Sequence, residues 1–233
     1  MKIFFISIFP EIFDNFIDTS LIKKANEKWI LSFEIINPRD FCHDKHQQVD
    51  DIIYGWWDGM LMMAKPVIDA TNSAIEKIWS DNFQIIFASP STEIRNQTHA
   101  HRYSKYENLI FICGRYEWID YRFEQYFSAK YPDKFNKISM WRFVTLWWEL
   151  PSMTIVESIV RLIPWVIKEE NSRQDESYQI SQNMENLEYP QYTRPQEVEW
   201  FKVPEVLLNW NHKEIEKRKR ENQKIINNMS FWA

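Results

Sequence analysis

Glycine is nearly missing. The 233-residue chain holds 3, where average usage of about 7% would supply roughly 16. Helix ends and tight loops ordinarily draw on glycine for backbone with positive φ, so other residues must make them here. Cysteine is almost as scarce: Cys42 and Cys113 stand in unrelated contexts, which excludes a disulfide framework and fits a reducing compartment. No apolar run reaches the ~18 residues that would suggest a bilayer span. The stretch MKIFFISIFPEIF is broken by Pro10 and Glu11 before it could serve as the apolar part of a signal peptide. These absences predict a soluble, cytoplasmic protein with no membrane partner. Excess positive charge is lacking too. A formal net charge of -5 excludes a protein that coats nucleic acid non-specifically, and leaves room only for local basic patches.

What is present is tryptophan, 12 residues of it, within a hydrophobic share of 45% that suffices for a sizeable core. Short apolar runs at 3–8, 30–36, 84–88 and 109–113 alternate with helical patterns at 10–27, 66–78 and 151–162. That alternation predicts an α/β fold with a largely parallel sheet. From 168 to 194 the chain turns polar, and a connection of that length is either functional or disordered. The expected organisation is therefore a domain over 1–167, a flexible linker over 168–194, and a small helical domain over 195–233. No internal repeat is visible.

The tryptophans do not fall where core tryptophans should. Trp29 and Trp79 follow lysine-bearing helical segments, at the place where a left-handed residue, usually glycine, closes a helix. Trp56 and Trp57 lie between Gly55 and Gly59. A bulky residue with positive φ is an outlier, whereas glycine adopts that backbone freely. One reading takes the residues at face value, as aromatics lining a core, a sugar-binding face or an interface. The other holds that most of them stand for glycine, the gene using UGA as a glycine codon in the manner of some bacterial lineages. Counted that way, glycine returns to near its average share.

With glycine written for tryptophan, the segments YGWWDGMLMM (54–63), CGRYEWID (113–120) and WWELPSMT (147–154) become similar to signature segments of the TrmD family. These are trefoil-knotted SPOUT methyltransferases acting on guanosine 37 of tRNA. The resemblance extends to ISIFPEIF (6–13), PRDFCHDKHQQVDD (38–51), YPQYTRP (189–195) and VPEVLLNWNHKEIEKRKR (203–220), and so covers nearly the whole chain. Many segments in one order are far more specific than a lone motif. There is a departure: the family's IGDYVL reads Met140, Trp141, Arg142, Phe143, Val144, Thr145, placing Arg142 where the family has aspartate.

The resemblance implies a parallel sheet with helices on both faces, a knot in the first domain, and S-adenosylmethionine as methyl donor. The cofactor is then expected at Ala88, Ser89 and Pro90, at Gly114, Tyr116 and Glu117, and at Met140, Trp141, Arg142, Phe143, Val144 and Thr145, closed by Trp147 and Trp148. Gly114, kept as glycine, allows close backbone approach. Methylating guanine N1 requires a base for its proton and stabilisation of the charge that develops on O6. The family ascribes these roles to an aspartate after the linker and an arginine before an I-P-G motif. Arg161 precedes LIPW and matches the arginine. Register places Glu176 at the aspartate, with Asp175 beside it, and either can serve as the base; by composition alone the same stretch reads as a solvated charged linker.

The resemblance further implies tRNA as partner, a homodimer whose active site is shared between subunits, and extrusion of the target guanine from its stack. Lys217, Arg218 and Arg220 on the last helix are expected to track tRNA phosphates. The alternating charges there equally describe a solvated helix laced with i, i+4 pairs. His43, Asp44 and His46 do not by themselves make a metal site, so no protein-held metal is expected; magnesium is implied as an assisting ion with no located site. Two rival functions remain: a SPOUT methyltransferase acting on another RNA, and an inactive tryptophan-rich relative that binds RNA or another ligand through exposed aromatics.

Overall fold

The computed structural model describes residues 1–55, 58–90, 92, 94–140, 144–167, 176–180 and 186–225. The chain divides into two compact units, Met1–Lys168 and Glu169–Ala233.

In the first unit the elements run β1 (Lys2–Ile6), a 3-10 turn (Pro10–Phe13), α1 (Asp14–Ile17), α2 (Ser20–Glu27), β2 (Ser32–Ile36), β3 (Asp50–Ile52), β4 (Met60–Met62) and α3 (Ala64–Glu76). They continue with β5 (Phe83–Ala88), α4 (Gln97–Tyr103), β6 (Asn108–Ile112), β7 (Trp118–Ile119), α5 (Arg122–Lys130), β8 (Phe135–Ile138) and α6 (Glu149–Val160). The main sheet has the order β2-β1-β6-β5-β8, and every pairing in it is parallel. Its inner strands read FFI, FQIIFA and NLIFI with every one of those residues buried, as a sheet covered on both faces requires.

Alternation along the strands feeds two cores. Ile3, Phe5, Ile86, Leu109 and Phe111 meet α2, α4 and α6 through Ile22, Ala25, Ala100, Tyr103, Ile155 and Ile159. Phe4, Ile6, Ile85, Phe87, Ile110 and Ile112 meet α3 and α5 through Val67, Ala70, Ala74, Phe123 and Phe127. The predicted α/β class with helices on both faces of a parallel sheet is what forms.

The four apolar runs become β1, β2, β5 and β6. The helical patterns at 66–78 and 151–162 become α3 and α6, each starting two residues earlier because proline is tolerated in a helix's first turn. The pattern at 10–27 is instead broken into three pieces. Thr19 is extended and its hydroxyl bonds the Asn15 carbonyl, while Ser20 takes φ +53°. The hairpin β3–β4 is joined in parallel by β7; its connection carries Gly55 and Gly59 at φ +95° and +106°, and Trp56 and Trp57 lie outside the described residues.

Arg95 is half-buried among the described residues. Nε and Nη2 of Arg95 have no hydrogen-bond partner, and burial pulls this guanidinium down to about 10, a penalty that isolated buried cations ordinarily incur.

The second unit pairs β9 (Asn186–Leu187) with β12 (Lys224–Ile225), forms the hairpin β10 (Glu197–Val198) with β11 (Phe201–Lys202), and adds α7 (Glu205–Leu208) and α8 (His212–Asn222). Of residues 176–180 and 186–223 only Asn186 is buried; its side chain donates to the Glu176 carbonyl at 2.7 Å and accepts from the Gln179 N–H at 2.8 Å. No described helix is long and apolar enough to cross a membrane.

Candidate active site

A parallel sheet presents a crevice beyond the carboxyl ends of its strands. Here β5 ends at Ala88 and β8 at Ile138, and a cavity of about 480 Å³ opens beside them, within the size range of small-molecule sites. Three segments wall it. The first follows β5 and is tied to β8, with the Ser89 N–H donating to the Ile138 carbonyl at 2.8 Å and the Arg95 N–H to Ser139 at 2.7 Å. The second runs from Gly114 to Trp118. The third runs from Val144 into α6.

Of the residues expected at a cofactor, Ala88, Ser89, Pro90, Tyr116, Glu117, Met140, Val144, Thr145 and Trp148 line this one cavity. Trp141, Arg142 and Phe143 lie outside the described residues. Gly114 is buried beneath the cavity wall: a β-carbon there would sit 2.9 Å from the Trp148 ring. Trp147 is not part of the lining; its ring centre lies 5.0 Å from the Arg115 guanidinium. Trp118, Ile138, Ser139, Leu146 and Pro151 complete the lining. Ile138 and Ser139 belong to the end of β8, a strand with no continuous apolar run to announce it.

Local bonds fix the second wall. Tyr116 adopts φ +57° and its hydroxyl donates to Asp50 at 2.9 Å; burial, then the Asp50 carboxylate, push this phenol above its ordinary range. The Glu117 carboxylate accepts from the Met60 N–H at 2.7 Å, and any β-carbon on Gly59 would collide with it. That position therefore favours glycine for its left-handed backbone, and any other residue would also have to displace the Glu117 carboxylate. Arg115 reaches across to the third wall. Its Nη1 donates to the Leu146 carbonyl at 3.3 Å, and its guanidinium lies 4.7 Å from the centre of the Phe9 ring.

Polar groups are buried behind the third wall. Glu149, fully buried, accepts from the Ser7 hydroxyl at 2.7 Å, and Ser7 accepts from the Phe9 N–H at 3.1 Å. Cys113 donates to Ser152 at 3.3 Å; burial, then the nearby Glu149 charge, push its thiol well above its usual range, so it is not a nucleophile. In front of these groups Trp118 and Trp148 meet edge to face at 4.6 Å.

Tryptophan geometry elsewhere follows the helix-end expectation at one site and departs from it at another. Trp29 takes φ +60° at the end of α2, its N–H donating to Asn26 and the following N–H to Ala25, while its ring is 88% exposed. Trp79 is fully exposed but is not among the residues with positive φ. Trp165, which the helix-end argument did not single out, has φ +72° and is 81% exposed.

Arg161 closes α6 in the first unit. Glu176 is half-buried in the second; Asp175 lies outside the described residues. On α8, Lys217 and Arg220 are exposed and Arg218 is half-buried, with i, i+4 and i, i+3 pairs Lys217–Glu221 and Lys219–Glu216 at 3.9 and 2.8 Å. In the HDKH loop the Asp44 carboxylate accepts from the backbone of His46 and Gln48. Among the described residues no group of three His, Cys, Asp or Glu side chains could hold a metal ion.

A family model described as tRNA (Guanine-1)-methyltransferase TrmD matches residues 1–229. The chain is 42% identical over 226 residues to a tRNA (guanine-N(1)-)-methyltransferase of Clostridium perfringens (strain SM101 / Type A), covering 97% of this chain and 89% of that protein. It is 39% identical over 221 residues to the protein of that name from Clostridioides difficile (strain 630), covering 95% and 91%. With the one from Mycoplasmopsis synoviae (strain 53) it shares 40% identity over 223 residues, covering 96% and 92%.

Proposed function

The chain belongs to the TrmD family of tRNA (guanine-1)-methyltransferases, and from that premise we propose that it transfers a methyl group from S-adenosylmethionine to N1 of guanosine 37, immediately 3′ of the tRNA anticodon. The observation that carries this reading is the convergence of three separate segments, 88–90, 116–118 and 144–148, on one cavity at the carboxyl ends of β5 and β8.

The cavity suits the donor in size and in lining: a mostly apolar wall of Ile138, Met140, Val144, Leu146 and Trp148, with a few polar groups from Ser89, Glu117, Ser139 and Thr145. Bound there, S-adenosylmethionine supplies an electrophilic methyl group on a sulfonium. The protein's own part is to hold the guanine and move one proton. A carboxylate, Glu176 or its neighbour Asp175, takes the N1 proton, and Arg161 stabilises the negative charge that grows on O6. The segment 168–194 acts as the linker that brings the base to the site, and 195–233, with Lys217, Arg218 and Arg220, holds the anticodon stem by its phosphates. The first domain is knotted, the working form is a homodimer sharing its active sites, magnesium assists without a protein site, and the enzyme works in the cytoplasm.

The native protein, in this reading, carries glycine at most tryptophan positions. Left-handed backbone at Trp29 and Trp165 supports it, as does the Trp148 ring, so near Gly114 that a β-carbon there would sit 2.9 Å from it. Gene codons and intact mass test it: UGA at Trp56, Trp118 and Trp147 is expected, and UGG would overturn it. UGG would also favour a second reading, in which exposed Trp200, Phe201 and Trp210 are stacking surfaces for RNA bases.

Activity is tested by methyl transfer to paired tRNAs that differ only in having guanosine or adenosine at position 37. Label at N1 of the guanosine tRNA alone is expected. No transfer to either, or transfer to both, would sink the assignment.

A further inference from the structure

The third wall is anchored at one end, where Trp148 packs against Phe87 and Trp118 and Glu149 is buried; the stretch before it is not. Val144 and Leu146 line the cavity yet are largely exposed, so little apolar burial holds the stretch 144–146 in place. Among the described residues its other side-chain ties are local: the Thr145 hydroxyl donates to the Trp147 carbonyl at 3.1 Å, and Ser152 to the Trp148 carbonyl at 3.0 Å. Both partners belong to the segment itself or to the helix it enters.

A bond that crosses to this stretch from the second wall comes from Arg115, whose Nη1 reaches the Leu146 carbonyl at 3.3 Å. The arginine is held at both ends. Its backbone N–H faces the Met62 sulfur at 3.1 Å, and its guanidinium stacks on Phe9 at 4.7 Å. Phe9 is in turn anchored by its own N–H on Ser7, the serine that bonds buried Glu149. A planar guanidinium suits this task because it can lie on an aromatic face and donate in its own plane at once, which an ammonium cannot.

We propose that Arg115 is a positioning residue that straps the 144–148 segment over the cavity, and thereby sets the affinity for S-adenosylmethionine without touching the methyl transfer itself. The strap deepens the functional reading above and rests on it. It does not depend on the residue at 147, because the bond is to the Leu146 backbone and the stack on Phe9 remains without the Trp147 ring.

The test compares the full-length protein with its Arg115→Ala, Arg115→Lys and Phe9→Leu variants, measuring the Kd for S-adenosylmethionine by calorimetry and the KM for cofactor and tRNA at two salt concentrations. Losing one charge-assisted bond predicts that Arg115→Ala raises the Kd and KM for the cofactor about tenfold, with kcat and the KM for tRNA unchanged. Arg115→Lys keeps the charge but loses the planar fork, so it should recover only part of the loss; Phe9→Leu should weaken cofactor binding by about twofold. If Arg115→Ala fails to fold, the Lys and Leu variants decide.

A rise confined to the KM for tRNA, with a shallower salt dependence, would instead make Arg115 a phosphate contact and overturn the strap. A fall in kcat with unchanged cofactor Kd would overturn it as well, and so would no change at all. Failure of the unmodified protein to bind S-adenosylmethionine would remove the functional reading, whereas equal binding by unmodified and Arg115→Ala proteins removes the strap alone.

Discussion

The two units of this chain meet water on opposite terms. In Met1–Lys168, neighbouring residues of a single strand are sent to two separate cores, so that Phe4 and Phe5 are both sealed from solvent while facing different helices. In Glu169–Ala233 no described hydrophobic side chain is buried, and Trp200, Phe201 and Trp210 stand largely in water. The first unit carries its shape in its own packing. The second holds its shape through local bonds such as those of Asn186, and through pairs along α8 that are worth little each. A segment built that way keeps its surface for partners, which agrees with the proposal that it grips tRNA.

That contrast can be broken at its strongest point. Phe111, packed against Phe5 at 5.6 Å in the first core, should cost about 3–5 kcal/mol on truncation to alanine, read as a lower urea midpoint. Phe201→Ala should cost under about 0.5 kcal/mol; comparable losses from the two would show that the second unit hides a core of its own. Next in size, Lys217→Glu with Arg218→Glu should weaken tRNA binding at least about tenfold and reduce the salt slope by roughly 2, while cofactor affinity holds. Unchanged binding would reduce α8 to scaffold. The smallest effect concerns Trp29. Its exposed ring contributes little packing, so glycine in that left-handed position should be more stable by about 1 kcal/mol in thermal melts, and greater stability of the tryptophan form would weaken the glycine argument.

How much of this was legible in the sequence depended on burial. β1, β5 and β6 could be read as apolar runs because most of their residues are covered, and β2, an edge strand that buries only Ile36, because Phe33, Ile35 and Ile36 keep it apolar. β8 could not: at the sheet edge it buries only Ile138, while Asn136 and Lys137 bond Gln84 and Glu124, giving the polar look of a loop. The helix at 10–27 misled because periodicity does not register a single residue such as Ser20 turning left-handed. At the site, the lining residues came from family resemblance rather than from any pattern in the residues. Gly114 was recognisable as a glycine that matters, but what rests on it is Trp148, 34 positions away in the chain, and no local pattern reports such a neighbour. Arg115 falls inside the segment 114–117 that the resemblance assigns to the cofactor, but its side chain's part is not legible for the same reason, since it lies in a carbonyl across the cavity.

The Ser7–Glu149 bond joins residues 142 positions apart, and β6 enters the sheet between β1 and β5, pairing Ile3 with Leu109. A ribosome making this protein therefore releases β1 and β2 long before β6, the strand that must lie beside β1, exists. Contacts so distant in sequence slow folding and leave apolar edges exposed while they wait. For this chain the vulnerable interval is synthesis itself: nascent chains stalled before residue 108 should be caught by chaperones, and those extended past α6 should escape them.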